Sequence, residues 1–233
     1  MNSALFSLEG FAFILRWFHY FFGVIWIGHL YYFNFTQGAA MAEADAPTKS
    51  GITRVLLPKA LWWFRWGAMW TMVTGVLMLG LKGHQAGPAI YSTSWGVCIL
   101  IGGILGLTMW ANVWFIIWPH QKVIIASATQ VASGGQANPE AAKLAPKAAL
   151  ASRTNVLMSI PMLFFMGAAS HLPLVVTPES KLCTLAIVLG ILWLVLEGNA
   201  IKGKMGPMTT PKGVIHSGFG LTAIIYIIVA ALV

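Results

Sequence analysis

Six stretches of this sequence run apolar for about 20 residues each, the length of helix that crosses the hydrocarbon core of a bilayer. They lie near 11–34, 57–80, 95–118, 155–176, 182–201 and 213–233. Inside that core a chain must satisfy its own backbone, which a helix does and an open strand does not. The expected fold class is therefore all-α: a polytopic integral membrane helix bundle of about six transmembrane helices. Composition agrees, with 58% hydrophobic residues and only 9% Asp, Glu, Lys or Arg, against roughly 25% charged in a soluble domain. A soluble enzyme, a disordered tail and a secreted disulfide scaffold are excluded. Cys98 and Cys183 both stand in apolar runs with no CxxC or CxxCH near them. They provide no disulfide framework, zinc site or c-type haem attachment. The first apolar run is too long for a cleaved signal and holds Arg16 and His19, so it reads as an uncleaved anchor. No internal repeat divides the chain, and residues 1–233 are expected to form a single transmembrane domain.

The position of the charges matters more than the net +8. The loops after spans one, three and five hold ten cations: Lys49, Arg54, Lys59, Lys122, Lys143, Lys147, Arg153, Lys202, Lys204 and Lys212. The opposite side has Lys82 and Lys181, while Arg16 and Arg65 lie within spans. This bias places the three basic loops in the cytoplasm and both termini on the non-cytoplasmic side. It also accounts for the basic balance without nucleic acid as a partner. The one long loop, 119–154, is expected to continue the third helix through His120–Val131 and to break at Ser133-Gly134-Gly135. Asn138-Pro139-Glu140 can then start an Ala-rich helix to about Leu150, interrupted by Pro146 and lying on the cytoplasmic face.

Four of the six histidines fall within or at the edge of spans: His19, His29, His171 and His216. Ionisable groups there are costly and mark functional sites by default. At ~1.5 Å per residue, His19 and His171 fall on the outer side of the midplane, and His29 and His216 on the inner side. Two neutral imidazoles from facing helices are what a b-type haem takes as axial ligands. The sequence therefore offers four metal-ligand candidates and room for one or two haems. Arg16 and Arg65 are candidates to pair with haem propionates through their planar guanidinium groups. A membrane histidine can also simply hydrogen-bond a neighbouring helix. Trp62, Trp63, Trp66, Trp114 and Trp118 read first as an interfacial aromatic belt. Asn34 and Asn112 can hydrogen-bond across helices, and Glu197 at the inner end of span five reads as interfacial. His84 and His120 are expected in solvated loops.

An ordered set of short motifs runs through the chain. It begins with His19, Trp26-Ile27-Gly28, Tyr31-Tyr32-Phe33-Asn34 and Trp63-Phe64-Arg65-Trp66. Ala111-Asn112-Val113-Trp114 and Trp118-Pro119-His120-Gln121-Lys122 follow, then Ser152-Arg153-Thr154-Asn155, Pro161 and Ser170-His171-Leu172-Pro173. Together they resemble the membrane domain of the bacterial cytochrome-type urate oxidases, the urate oxidase N-terminal domain family, over most of residues 10–175. The resemblance implies a redox role in the bacterial cytoplasmic (inner) membrane and supports His19 and His171 among the histidines. Such proteins also carry a C-terminal cytochrome c domain. No CxxCH occurs here, and Thr154 stands where the family pattern has His.

Three functions follow as expectations. The first is a b-type haem protein relaying electrons to or from another membrane subunit or a cytochrome c. The second is a non-enzymatic accessory subunit of a larger membrane complex. The third is a urate-oxidising enzyme that uses a separate cytochrome c.

Overall fold

A computed structural model describes residues 4–177 and 179–233. Six long helices dominate it, with no strand among the described residues. Helix α1 is Leu8–Glu43, α2 covers 46–86, α3 is Ser94–Ala132, α4 is Pro139–His171, α5 is Leu182–Lys202 and α6 is Pro211–Leu232. Their starts are written locally. Ser7, Asp45, Thr93, Asn138 and Thr210 each cap a helix with a side-chain oxygen that accepts a backbone N–H two or three residues on. Proline stands in the first turn of α2, α4 and α6, where its missing N–H has no intrahelical partner to lose.

Five helices, all but α2, are long and apolar enough to cross a membrane. The second helix, expected to span over 57–80, carries Lys49, Arg54, Lys59, Arg65 and Lys82 as well as four tryptophans, which dilute its apolar stretches. It packs antiparallel along α1. The contact runs from His19 against Thr74 at one end to Phe33 against Phe64 at the other, the last pair edge-on at 5.4 Å. Gly67 permits the close approach, because a Cβ there would lie 3.1 Å from the Trp26 backbone nitrogen.

Helix α4 is the hub. Within its most apolar window 61% of residues are buried, against 17% in α1 and 6% in α5, so α5 stands at the perimeter. One stripe of α4, Ser152 and Ser159, meets α1. A second, Met162 and Met166, packs on α3 at Gly102, and Ile160 packs against Gly218 of α6. The expected loop 119–154 is mostly helix. Helix α3 runs on to Ala132, and Ser127 Oγ accepts from the Asn138 N–H across the turn. Pro146 lies inside α4 without breaking it. The Ala-rich stretch is not a separate helix on the membrane face but the first turns of α4. Its Ala148, Leu150 and Ala151 are buried in the bundle, which outweighs the amide lost at Pro146.

The long helices outrun the bilayer. At 36 and 39 residues, α1 and α3 measure roughly 54 and 58 Å, against a hydrocarbon core of about 30 Å. The excess lies at the end that joins α1 to α2, α3 to α4 and α5 to α6. This is also where the ten loop cations gather, and it is called the basic end below.

Candidate functional site: a polar layer across five helices

Polar side chains buried in these helices meet at one height. In α1 and α3 the helix widens to π geometry over Tyr32–Gln37 and Asn112–Ile117, and in α2 over Ile52–Leu56. Such turns recur at functional sites because they misalign the backbone ladder and re-aim side chains. Asn34, inside the first, donates through Nδ2 to the Leu30 carbonyl at 2.8 Å and to Ser152 Oγ of α4 at 2.8 Å. One turn away, the Tyr31 hydroxyl pairs with Ser159 Oγ at 2.9 Å. Asn112, which opens the widened turn of α3, donates through Nδ2 to Asn155 Oδ1 at 3.0 Å and to Glu197 Oε2 of α5 at 3.1 Å. Asn155 Nδ2 in turn donates to the Met109 carbonyl at 2.9 Å. Asn112 and Asn155 are 1% and 0% exposed. The triad of Asn112, Asn155 and Glu197 is thus an amide-lined carboxylate site, sealed at the two asparagines and half-buried at Glu197.

Arg65 joins the layer from α2. Its Nε donates to the Leu61 carbonyl at 3.2 Å, and its guanidinium lies 3.4 Å from the Trp118 ring centroid and 5.6 Å from that of Trp114. Trp66 meets Trp114 edge-on at 5.7 Å. Trp114 and Trp118, expected as belt residues, therefore form the face on which this cation rests. Among the described residues the only ion pair is Lys143 with Glu140, exposed at the basic end. Arg65 consequently has no carboxylate partner. Trp62 and Trp63 are exposed on α2, as belt residues are.

The four span histidines take different environments. His19 lies half-buried between α1 and α2, its Nδ1 3.2 Å from Thr74 Oγ1. Thr74 has one hydroxyl proton, and the Trp70 carbonyl 2.7 Å away takes it. Thr74 can then only accept, so His19 Nδ1 carries the proton and Nε2 keeps a free lone pair. His29 Nδ1 lies 2.7 Å from the Ile25 carbonyl, which also can only accept. His29 therefore has the same tautomer. A Cβ at Gly75 would come within 3.1 Å of the His19 ring, so the glycine makes space for it. His171 and His216 are exposed at the ends of α4 and α6. The Tyr31–Ser159 bond and the Gly218–Ile160 contact set the relative heights of the helices. His19 is then level with His171, and His29 lies within about one turn of His216. Among the described residues no hydrogen bond or ring contact joins the members of either pair, and no three of His, Cys, Asp and Glu come together. Arg16 is exposed on α1.

Of the residues in the layer, sequence reasoning picked out Asn34, Asn112 and Arg65. It missed Ser159, and it met Tyr31, Ser152 and Asn155 only as members of the motif set, with no role in the bundle. Glu197, expected to be interfacial, is half-buried and accepts a hydrogen bond from Asn112. The available signal was the recurrence of Asn and Ser in apolar runs at one shared depth. At the basic end Gln37 Oε1, Trp114 Nε1, His120 Nδ1, Gln121 Oε1 and Arg153 Nη1 are buried without a partner among the described residues. His120 is thus not a solvated loop residue but part of helix α3.

These features define a helical membrane protein with a polar, partly ionisable layer inside an apolar bundle. The motifs Tyr31–Asn34, Trp63–Trp66, Asn112–Trp118 and Ser152–Asn155 all converge on that layer. The sequence pattern described as "Urate oxidase N-terminal" matches residues 88–230, and the chain belongs to that family. The match covers α3 to α6, whereas the motifs on α1 and α2 lie before it. Comparison with curated proteins and with solved structures gives no significant match.

Proposed function

We propose that this chain is a membrane redox protein that takes b-type haem on imidazoles of α1 and relays electrons to or from a partner. The observation that carries the reading is the fixed tautomer of His19 and His29. Both present Nε2 as a free base and hold Nδ1–H in a hydrogen bond, the arrangement that orients a metal-ligating imidazole. Arg65, a cation with no carboxylate partner in the membrane, suits an acidic group such as a propionate, and Arg16 lies one turn from His19. His171 and His216 are the candidates for the opposite ligands. When bound, haem would supply one-electron chemistry, and this chain's part is to ligate, orient and bury it.

The test is a reduced-minus-oxidised spectrum and a pyridine haemochrome on the purified protein, repeated after His19→Ala and His29→Ala. Haem lost in either variant supports the reading. No haem in the parent, or unchanged haem in both variants, ends it.

A second reading, an accessory subunit of a larger membrane complex, is favoured by the perimeter position of α5, of whose most apolar stretch only 6% is fully buried. Stoichiometric co-purification with a larger enzyme supports it, and stable isolation as a lone monomer counts against it. A third, urate oxidation with a separate cytochrome c, rests on family membership. Unchanged urate consumption by membranes of a deletion strain ends that one. All three place the protein in the bacterial inner membrane with the basic end in the cytoplasm. Reporter fusions at residues 134 and 90 test the orientation, with only the second expected to report export.

A further inference from the structure

Between Gly198 and Val233 the sequence has no Asp or Glu, and its lysines there, Lys202, Lys204 and Lys212, all stand where α5 turns into α6. The turn is held in shape. Asn199 donates through Nδ2 to the Lys204 carbonyl at 3.2 Å, and its Oδ1 accepts from the Lys204 N–H at 3.1 Å. Thr209 Oγ1 donates to the Gly206 carbonyl at 2.8 Å, and Met208 is buried beneath. The three lysines are exposed on this frame.

Arg153 of α4 comes to the same place. Helices α4 and α6 both run outward from the basic end, and Ile160 packs on Gly218. Arg153 lies seven residues before Ile160, two turns back on the same stripe. It therefore stands level with Pro211, seven residues before Gly218. Helix α4 also packs against the turn Gly206–Thr209 that leads into α6. The Arg153 guanidinium makes no hydrogen bond among the described residues, although its Nη1 is buried. The acids of α4 and α5 are engaged elsewhere: Glu140 pairs with Lys143, and Glu197 accepts from Asn112 of α3. Four cations thus gather with no counter-charge from these helices.

Their depth says what supplies it. Helix α5 has 21 residues, so at ~31 Å it matches the hydrocarbon core, and Lys202 at its end lies at headgroup level. Just inside the cations the surface is apolar and exposed, with Ile201 on α5 and Phe219 on α6. A phosphate held at that depth, with acyl chains against that surface, belongs to an anionic phospholipid. We infer that Arg153 and the lysines of the α5–α6 turn bind the headgroup of an anionic phospholipid from the leaflet at the basic end, Arg153 donating to its phosphate. A free phosphate carries the charge but has nothing to lay on Ile201 and Phe219. The site uses none of the residues assigned to haem, so haem content read in the same samples tests the earlier reading separately.

The experiment counts retained lipid by native mass spectrometry on the purified, delipidated full chain, titrated with dioleoyl phosphatidylglycerol or dioleoyl phosphatidylcholine. Expected is one equivalent of phosphatidylglycerol, with phosphatidylcholine bound about tenfold or more weakly. Arg153→Gln should lose about tenfold or more, the worth of one charge-assisted hydrogen bond. Lys212→Gln, an exposed change that leaves the fold alone, should lose about fivefold. Circular dichroism verifies helicity in each variant. Lys122→Gln removes a charge at the same end from α3 and should leave the affinity as it was. Equal binding of the two lipids, or unchanged affinity in either folded variant, overturns the inference. A loss in Lys122→Gln matching that in Lys212→Gln would show diffuse surface attraction, and displacement of the lipid by an equal concentration of glycerol phosphate would show a soluble-phosphate site; each overturns it too.

Discussion

Replacing Asn155 by Leu removes a side chain of similar size, so the change isolates hydrogen bonding from packing. Asn155 is fully buried and makes two bonds, donating to the Met109 carbonyl and accepting from Asn112. Inside a membrane bundle such bonds average about 0.6 kcal/mol, and up to about 1.7 at best. The loss also strands one N–H of Asn112 in a dry interior, at about 1–3 kcal/mol. The expected cost of Asn155→Leu is therefore about 2–6 kcal/mol. Asn112→Leu should cost a similar amount, since it breaks the bonds to Asn155 and Glu197. The two residues touch, so the double variant should cost about 1 kcal/mol or more less than the sum of the singles. The assay is reversible unfolding of the purified protein in mixed micelles by added SDS, followed by circular dichroism. Single costs below about 0.5 kcal/mol, or strict additivity, would refute the claim that this amide pair holds α3 to α4.

Thr74→Val removes the acceptor for His19 Nδ1–H; if His19 ligates haem, retention should fall 10- to 100-fold by pyridine haemochrome, with little loss of helicity. Gly67→Leu should push α2 from α1, since its Cβ alone meets the Trp26 backbone at 3.1 Å; a loss of about 1–3 kcal/mol is expected in the same SDS assay. Arg65→Met should cost about 1–2 kcal/mol through loss of the contact with Trp118, while Trp118→Phe, which keeps a smaller aromatic face under the guanidinium, should cost less. The hydrogen bonds from Thr48, first its side chain and then its backbone N–H, hold the Asp45 carboxylate below its usual range. A depressed folded-state pKa means the cap is present above the ordinary carboxylate range and is lost as pH falls through the lowered value. Hydrogen exchange at residues 46–51 should therefore speed up on acidification in the parent protein, relative to base-catalysed expectation, and be fast at all pH values in Asp45→Ala.

How much of this was legible beforehand depends on the period of the signal. Long apolar runs announced the helices, and capping residues such as Thr93 and Asn138 announced their starts. Pro146 misled because a proline near the start of a helix loses only one amide, while Ala148 and Ala151 gain a buried face. Heights could be counted at a fixed rise per residue, which is why His19 and His171 come out level. Azimuth could not, because a π-helical turn shifts every later side chain around the axis and leaves no mark in hydropathy. For the same reason Asn112 was visible as a polar residue in a span, while its pairing with Asn155 and Glu197 was not.

The widened turn at Asn112–Ile117 also means that this helix holds one residue more than a regular spiral needs over the same rise. Deleting a single residue there would restore ideal α geometry and leave composition, hydropathy and span count untouched. The residues beyond it would keep their faces, because the widened turn already absorbs the extra residue. Trp118 would still lie against Arg65, while Asn112 and its neighbours inside the turn would lose the aim that the widening gives them. The chain would still insert and pack as a membrane protein, with its polar layer undone.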